Sequence, residues 1–248
     1  MLQRQKQDWN ELGKLDPLWA VLSDPVRQFG RWDLDEFFRT GEELVRVTLE
    51  RGAAHGLPHR HERALDFGCA VGRLTRALAS RFVQCRGVDI SEEMIRRARE
   101  LNADLPNCSY EVNNESDLRM FPSGRFDFIL SVLVLQHLPD KRSIFAFIAE
   151  FLRVLAPGGL LVFQLPSFIP FRNRLQPRRR AYQVLRGVGL AHSFLYCSLG
   201  LNPIHMNFIP RDDVLAFLGR SGGRVVFEET QVVLQKGSIR STTYYVTK

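Results

Sequence analysis

Leu65-Asp66-Phe67-Gly68-Cys69-Ala70-Val71-Gly72-Arg73 leaves a short apolar run, turns on two glycines and enters LTRALASRF (74–82), which has helical spacing. A strand, a glycine turn and a helix start in that order bring backbone close to a ligand. Glycine lacks the Cβ that would block the approach, and a helix N-terminus offers unpaired N–H groups. Gly87-Val88-Asp89-Ile90 then ends a second apolar run with an acid, 17 residues past Gly72. A carboxylate at a strand end can accept hydrogen bonds from two neighbouring hydroxyls of a sugar ring. A glycine turn alone would be weak; the turn, the helix and the acid at the next strand end reinforce one another.

Outward from this stretch the alternation continues. RALDF (63–67), QCRGVDI (84–90), CSYEVNN (108–114), FDFILSVL (126–133) and LLVFQL (160–165) read as five strands. Between them, SEEMIRRARELNADL places Met94, Ala98, Leu101 and Leu105 on one helix face. Ser143 to Leu155 buries Ile144, Phe147, Ile148, Phe151, Leu152 and Leu155, with Pro157-Gly158-Gly159 as its stop. Asp212 to Arg220 is a further helix, and GRVVFEE and TTYYVTK are strands joined near Lys236–Gly237. The expectation is an α/β fold: a doubly wound, mostly parallel seven-stranded sheet with an antiparallel C-terminal strand, binding ligands at the carboxyl strand ends. Residues 1–62 form a helical arm and linker, with Phe37, Gly41, Leu44, Val45, Thr48 and Leu49 on one helix face. Residues 63–167 form the binding core, 168–209 an inserted lid too long for a simple connection, and 210–248 complete the sheet.

Composition bounds the function. A chain of 248 residues with 45% apolar residues supports one core, and no apolar run reaches the roughly 18 residues of a membrane span. The opening MLQRQKQDWNELGK lacks the apolar centre of a signal peptide, and Cys69, Cys85, Cys108 and Cys197 show neither a CxxC pair nor a disulfide framework. A reduced, cytoplasmic protein is expected, without a metal; His55, His59 and His61 sit in a Pro/Gly-rich linker that orients nothing. The net charge of +7 is localised. Between Phe151 and Pro210 there is no Asp or Glu, while Arg153, Arg172, Arg174, Arg178, Arg179, Arg180 and Arg186 contribute seven positive charges. A neutral body with one basic segment points to a local anionic partner.

With Asp66, Gly68, Ala70 and Gly72 in the acidic-x-Gly-x-Gly-x-Gly pattern, RGVDIS after it, and the strands FDFILSVLVLQHLPD and RVLAPGGLLVF, the chain resembles the class I S-adenosylmethionine-dependent methyltransferases over roughly 37–165. The resemblance implies S-adenosyl-L-methionine as cofactor across the first, second and fourth strand ends. Gly68 and Gly72 flank it with Cys69 and Ala70 between them, Asp66 lies near its amino group, and Asp89 holds the ribose. Ile90 and Met94 pack on the adenine, Asn114 and Glu115 meet the adenine edge, and Ser131 and Val132 line the inner wall. Ala70 departs from the pattern, since it stands at a glycine; if positive φ is needed there, alanine costs about 1 kcal/mol.

The resemblance implies methyl transfer to oxygen or nitrogen of a small-molecule, glycan or lipid-like acceptor. No Asn-Pro-Pro-Tyr-type tetrad follows the fourth strand, where Ser131-Val132-Leu133-Val134 stands, so nucleic acid is not the expected acceptor. His137, His192 and His205 are candidate bases. Arg178, Arg179, Arg180 and Tyr182 are candidate recognition residues for an anionic or amphipathic acceptor, at a membrane surface or free. Trp9, Trp19 and Trp32 either close over the cofactor or anchor the arm. Two other functions compete. A cofactor-binding interaction protein would keep the turn without transfer. An NAD(P)-dependent oxidoreductase would need a glycine where Arg73 stands, and its Tyr-x-x-x-Lys is met only by Tyr244 and Lys248, on a strand.

Overall fold

The computed structural model describes residues 2–233 and 238–248; the expected turn near Lys236–Gly237 lies outside them. The arm comprises α1 (Leu2–Leu15), α2 (Pro17–Val21) and α3 (Leu34–Ala53). The core follows with β1 (Arg63–Phe67), α4 (Arg73–Ala79), β2 (Gln84–Asp89), α5 (Glu92–Leu101), β3 (Cys108–Val112), β4 (Phe126–Ser131), α6 (Lys141–Val154) and β5 (Leu155–Phe168). The inserted segment folds as α7 (Phe171–Arg174), α8 (Pro177–Gly187) and α9 (His192–Cys197). Finally α10 (Arg211–Arg220), β6 (Arg224–Val233) and β7 (Ile239–Thr247) complete one sheet of order β3-β2-β1-β4-β5-β7-β6. β7 runs antiparallel to both neighbours and the other pairs are parallel. The expected fold is the observed one, and its order reverses at β1/β4, where open α/β sheets bind ligands.

Local chemistry explains the element ends. The Asp33 carboxylate accepts the Glu36 N–H to start α3, Ser91 Oγ accepts the Met94 N–H to start α5, and Asp140 accepts the Ser143 N–H to start α6. Each such cap is worth about 1 kcal/mol. The glycines at 158–159 do not act as expected. α6 ends at Val154 and Leu155 enters β5 at once, pairing with Phe126, so Pro157-Gly158-Gly159 lies inside the strand. Gly158 has φ +70°, and a Cβ there would come within 2.2 Å of the His59 ring, whose backbone N–H donates to the Gly158 carbonyl. Two glycines let the strand begin irregularly, as the register shift between Phe126 and Phe128 records.

β4 is buried along its whole length, as a central strand covered on both faces requires. On one face, α6 and α10 bury Ile144, Phe151, Val214 and Leu218 against Phe163 and Tyr244. On the other, α3 and α4 bury Val45, Leu74 and Leu78 against Phe128 and Val162. Removing one such ring, as in Phe128→Ala, costs about 3–5 kcal/mol. The arm joins through a third cluster in which Leu12, Trp19 and Phe37 meet Val71 of the glycine turn, Met94 of α5 and Tyr196 of α9. Polar bonds fix the same junction: buried Asp16 accepts the Tyr196 hydroxyl at 2.9 Å, and Glu11 pairs with Arg186 at 3.1 Å.

Candidate active site

The turn after β1 is built from the backbone. The N–H groups of Gly68 and Cys69 both donate to the Val88 carbonyl, which ties the turn to the end of β2. Asp89 completes the tie. Its Oδ2 accepts the Ala70 N–H at 3.0 Å and its Oδ1 accepts the Ser91 N–H at 2.8 Å. Gly68, Ala70 and Gly72 have φ of +76°, +47° and +83°, so Ala70 does occupy the left-handed region where a side chain is strained. A Cβ on Gly68 would come within 2.4 Å of Val134, so the space facing this turn belongs to glycine alone.

Beside the turn lies a cavity of about 840 Å³, open to solvent. Of the residues expected at the cofactor, Gly68, Ala70, Asp89, Ile90, Met94, Glu115 and Val132 line it. Asp66, Cys69, Gly72, Asn114 and Ser131 do not. Asp66 is buried beneath the turn, where Oδ2 accepts the Thr75 hydroxyl at 2.7 Å; burial pushes its carboxyl up to about 6, against the pull of Thr75 and Arg73. Gly72 serves packing, since a Cβ there would meet Asn102 Nδ2 and Tyr110 Oη below 3 Å. Cys69 is a buried packing residue whose thiol is pushed up by burial. Asn114 is exposed, and its neighbour Asn113 lines the cavity instead. Asn113 continues the β2–β3 ladder by donating its N–H to the Asp89 carbonyl, which turns the chain one residue earlier than expected. Ser131 is fully buried, with no partner for its Oγ among the described residues.

Burial also raises the Asp89 carboxyl, while the Ser91, Ala70 and Ile90 backbone N–H groups pull it back. Two backbone donors occupy part of a carboxylate that has about four acceptor positions, so both oxygens can still accept hydroxyls from the cavity. The arm closes the cavity's outer side with Gln5, Trp9, Ala20 and Val21, residues that carry no motif and that the sequence alone did not single out apart from Trp9. Trp9 packs edge-on to His137 at 5.5 Å between centroids. Trp19 and Trp32 instead pack against Tyr196 and Phe37 and line a second, larger chamber of about 2230 Å³ between arm and lid.

The two chambers share Ala20, Val21, Leu133 and His137. His137 Nδ1 faces the His205 carbonyl at 2.5 Å; a carbonyl only accepts, so Nδ1 carries the proton and Nε2 is the accepting nitrogen, to which the Gln136 side-chain amide donates at 3.2 Å. His205 lines a small cleft between α1 and the lid, with its imidazole pushed down by burial and by Arg179. His192 is far less available than expected. It is buried, bonded to the Tyr182 hydroxyl at 2.7 Å and facing Glu11. Tyr182 is buried with it and lines neither chamber, because α8 turns that face toward α9. Arg178 and Arg179 line the larger chamber, along with Arg172, while Arg180 is exposed outside it. Among the described residues no group of three or more His, Cys, Asp or Glu could hold a metal ion.

Residues 65–163 match the family described as "Methyltransferase domain". The 2-methyl-6-phytyl-1,4-hydroquinone methyltransferase of Synechocystis is 34% identical over 158 residues, 62% of this chain and 47% of that protein. Ajmaline N-methyltransferase of Rauvolfia serpentina is 31% identical over 142 residues, 54% of this chain and 47% of that protein. The chain therefore spans about half the length of these curated relatives. Its fold resembles the magnesium protoporphyrin IX methyltransferase of Synechocystis, solved with bound SAH, with a TM-score of 0.63 and 19% identity over 100% of this chain and 99% of that one. In sequence over residues 65–163, and in fold, the chain is thus similar to the class I S-adenosylmethionine-dependent methyltransferases.

S-adenosyl-L-methionine is the cofactor of that family, and this methyltransferase domain has the groups to hold it. Gly68 leaves room for close backbone approach, Asp89 offers a carboxylate at the cavity wall, and Ile90 and Met94 supply an apolar wall beside it. The departure from the family pattern at Ala70 puts a methyl at the cavity wall and narrows the turn without closing it.

Proposed function

We propose that the protein transfers a methyl group from S-adenosyl-L-methionine to an oxygen or nitrogen of a small-molecule, glycan or lipid-like acceptor bearing an anionic group. When bound, the cofactor supplies a sulfonium methyl group open to in-line displacement. The chain's own part is to bind, orient and dry the site. Asp89 accepts the ribose hydroxyls, Ile90 and Met94 pack on the adenine, and Asn113 and Glu115 face its edge. Asp66 acts indirectly, by holding the turn through Thr75. The observation that carries this reading is the wall shared by the cofactor cavity and the larger chamber, where Leu133 and His137 belong to both. An acceptor in the larger chamber then presents its nucleophile toward the cofactor across His137. Where the nucleophile must lose a proton, His137 Nε2 takes it after exchanging its bond to the Gln136 amide for one to the acceptor. Arg178 and Arg179 hold the anionic group in two-pronged fashion on the chamber wall.

Incubating the protein with cell extract and deuterated-methyl cofactor, and reading mass shifts across all metabolites, tests this. A labelled small molecule is the expected result. Tight binding of S-adenosylhomocysteine with no labelled product would replace the transferase by a cofactor-binding interaction protein.

A further inference from the structure

Six of the thirteen large apolar side chains exposed among the described residues fall between 171 and 199, about an eighth of the chain. Phe171 is 73% exposed, Val184 67%, Val188 70% and Phe194 48%. They are placed in register. Val184 on α8 and Val188, the residue that caps it, stand four apart, as do Phe171 at the start of α7 and Leu175 at its cap. The same segment has no acidic residue, and its Arg172, Arg178 and Arg180 make no ion pair among the described residues. The segment also reaches the larger chamber, which Arg172, Asn173, Gln176, Arg178 and Arg179 line; of these Arg172 and Arg178 are exposed, and Arg180 is exposed outside it.

We propose that the outer face of α7–α9 docks on an anionic phospholipid surface. Apolar side chains enter the interface while neighbouring arginines meet lipid phosphates, the arrangement that drives amphipathic helices onto charged membranes. A second copy of the chain is the poorer occupant. A two-fold interface sets the same patch on both sides, which here opposes arginine to arginine with no acid to answer it. Among the described residues no helix is long and apolar enough to cross a membrane, so the contact is peripheral. Arg172 and Arg178, exposed on this segment, also line the larger chamber. A lipid-like acceptor can therefore pass from the surface to the chamber without crossing bulk water, a delivery role that rests on the methyltransferase reading; docking itself does not.

The test is co-sedimentation of the full chain with phosphatidylcholine vesicles, with and without about one third phosphatidylserine. Binding is expected only with phosphatidylserine, falling several-fold as salt rises from ~50 to ~500 mM. A Val184→Glu/Val188→Glu variant is expected to lower the bound fraction about tenfold or more. Both substitutions sit on exposed side chains, and S-adenosylhomocysteine affinity equal to the parent's checks the fold. No binding to the anionic vesicles, or equal binding by parent and variant, would overturn the proposal. So would light scattering that shows a dimeric parent and a monomeric variant. Vesicle binding without S-adenosylhomocysteine binding would instead sink the methyltransferase reading and leave docking standing.

Discussion

Asp89 Oδ2 accepts the backbone N–H of Ala70 at 3.0 Å, and Ala70 is held at φ +47°. One carboxylate thus braces the glycine turn, starts the run into α5 through Ser91, and still faces the cavity. Alanine in this region costs about 1 kcal/mol, partly offset by the lower freedom of the unfolded chain relative to glycine. Ala70→Gly is therefore expected to leave stability unchanged or raise it by up to about 1 kcal/mol, and to bind S-adenosylhomocysteine at least as tightly as the parent. Thermal unfolding and calorimetry check both, and a clear loss of affinity would show that the alanine methyl makes a useful contact.

Asp89→Ala removes the brace and the ribose acceptors together. Hydrogen bonds to a charged group are worth about 1.5–3 kcal/mol each, so two of them predict a loss of affinity of roughly a hundredfold or more. Burial raises the Asp89 carboxyl, and its charged form is the one that accepts both hydroxyls. Affinity in the parent should therefore fall as pH is lowered, and fall less in the variant. Calorimetry with unchanged affinity in Asp89→Ala would remove Asp89 from the site.

Asp66 gives a stability prediction with a definite sign. Its carboxyl is at about 6 in the folded chain against an ordinary 3.8, chiefly because it is buried. Between about pH 4 and 6 the folded state keeps a proton that the unfolded chain has lost, so stability falls as pH rises through that window. Asp66→Asn keeps an acceptor for the Thr75 hydroxyl and has nothing to ionise. The melting temperature of the variant minus that of the parent should grow from pH 4 to 6.5 and then level off, the underlying stability difference staying within about 3 kcal/mol. A constant difference across that range would mean the carboxyl titrates normally.

His137→Gln should lower kcat on the acceptor found by labelling by about a hundredfold or more, while S-adenosylhomocysteine affinity stays within a few-fold. An unchanged kcat would reduce His137 to a wall residue shared by the two chambers.

Arg178→Gln/Arg179→Gln should raise the acceptor's KM and leave cofactor affinity alone, and the parent's KM should rise with salt more steeply than the variant's. Arg180→Gln should be silent in KM, because that side chain lies outside the chamber. Equal KM in parent and double variant at low salt would remove the anionic group from the acceptor.

The sheet and the glycine turn were legible because each rests on local chemistry: apolar runs, caps and residues that tolerate positive φ. What the sequence hid depended on small geometric offsets or on distant packing. Asn113 and Asn114 are chemically identical, and only the bond from Asn113 N–H to the Asp89 carbonyl decides which one faces the cavity. Tyr182 reads as a recognition residue and His192 as a base in a basic segment, yet α8 and α9 spend them on each other. Gln5 carries no motif, and its place at the cavity follows from how α1 lies across the molecule. A helix stop read at Pro157-Gly158-Gly159 was displaced because Leu155 already pairs with Phe126, and ladder bonds outweigh a turn preference.

α1 is fastened at both walls of the cofactor cavity. The Gln5 amide donates to the His137 carbonyl at 2.7 Å, and Asn10 Oδ1 accepts the Ser91 hydroxyl at 2.7 Å and the Glu93 N–H at 3.1 Å. These bonds hold Gln5 and Trp9 of the helix on one side of the cavity. Gln5 contributes one such bond and Asn10 two, each worth about 1 kcal/mol net. Weakening Gln5 or Asn10 is therefore expected to speed S-adenosylhomocysteine release, read as a higher off-rate, without touching a reacting atom.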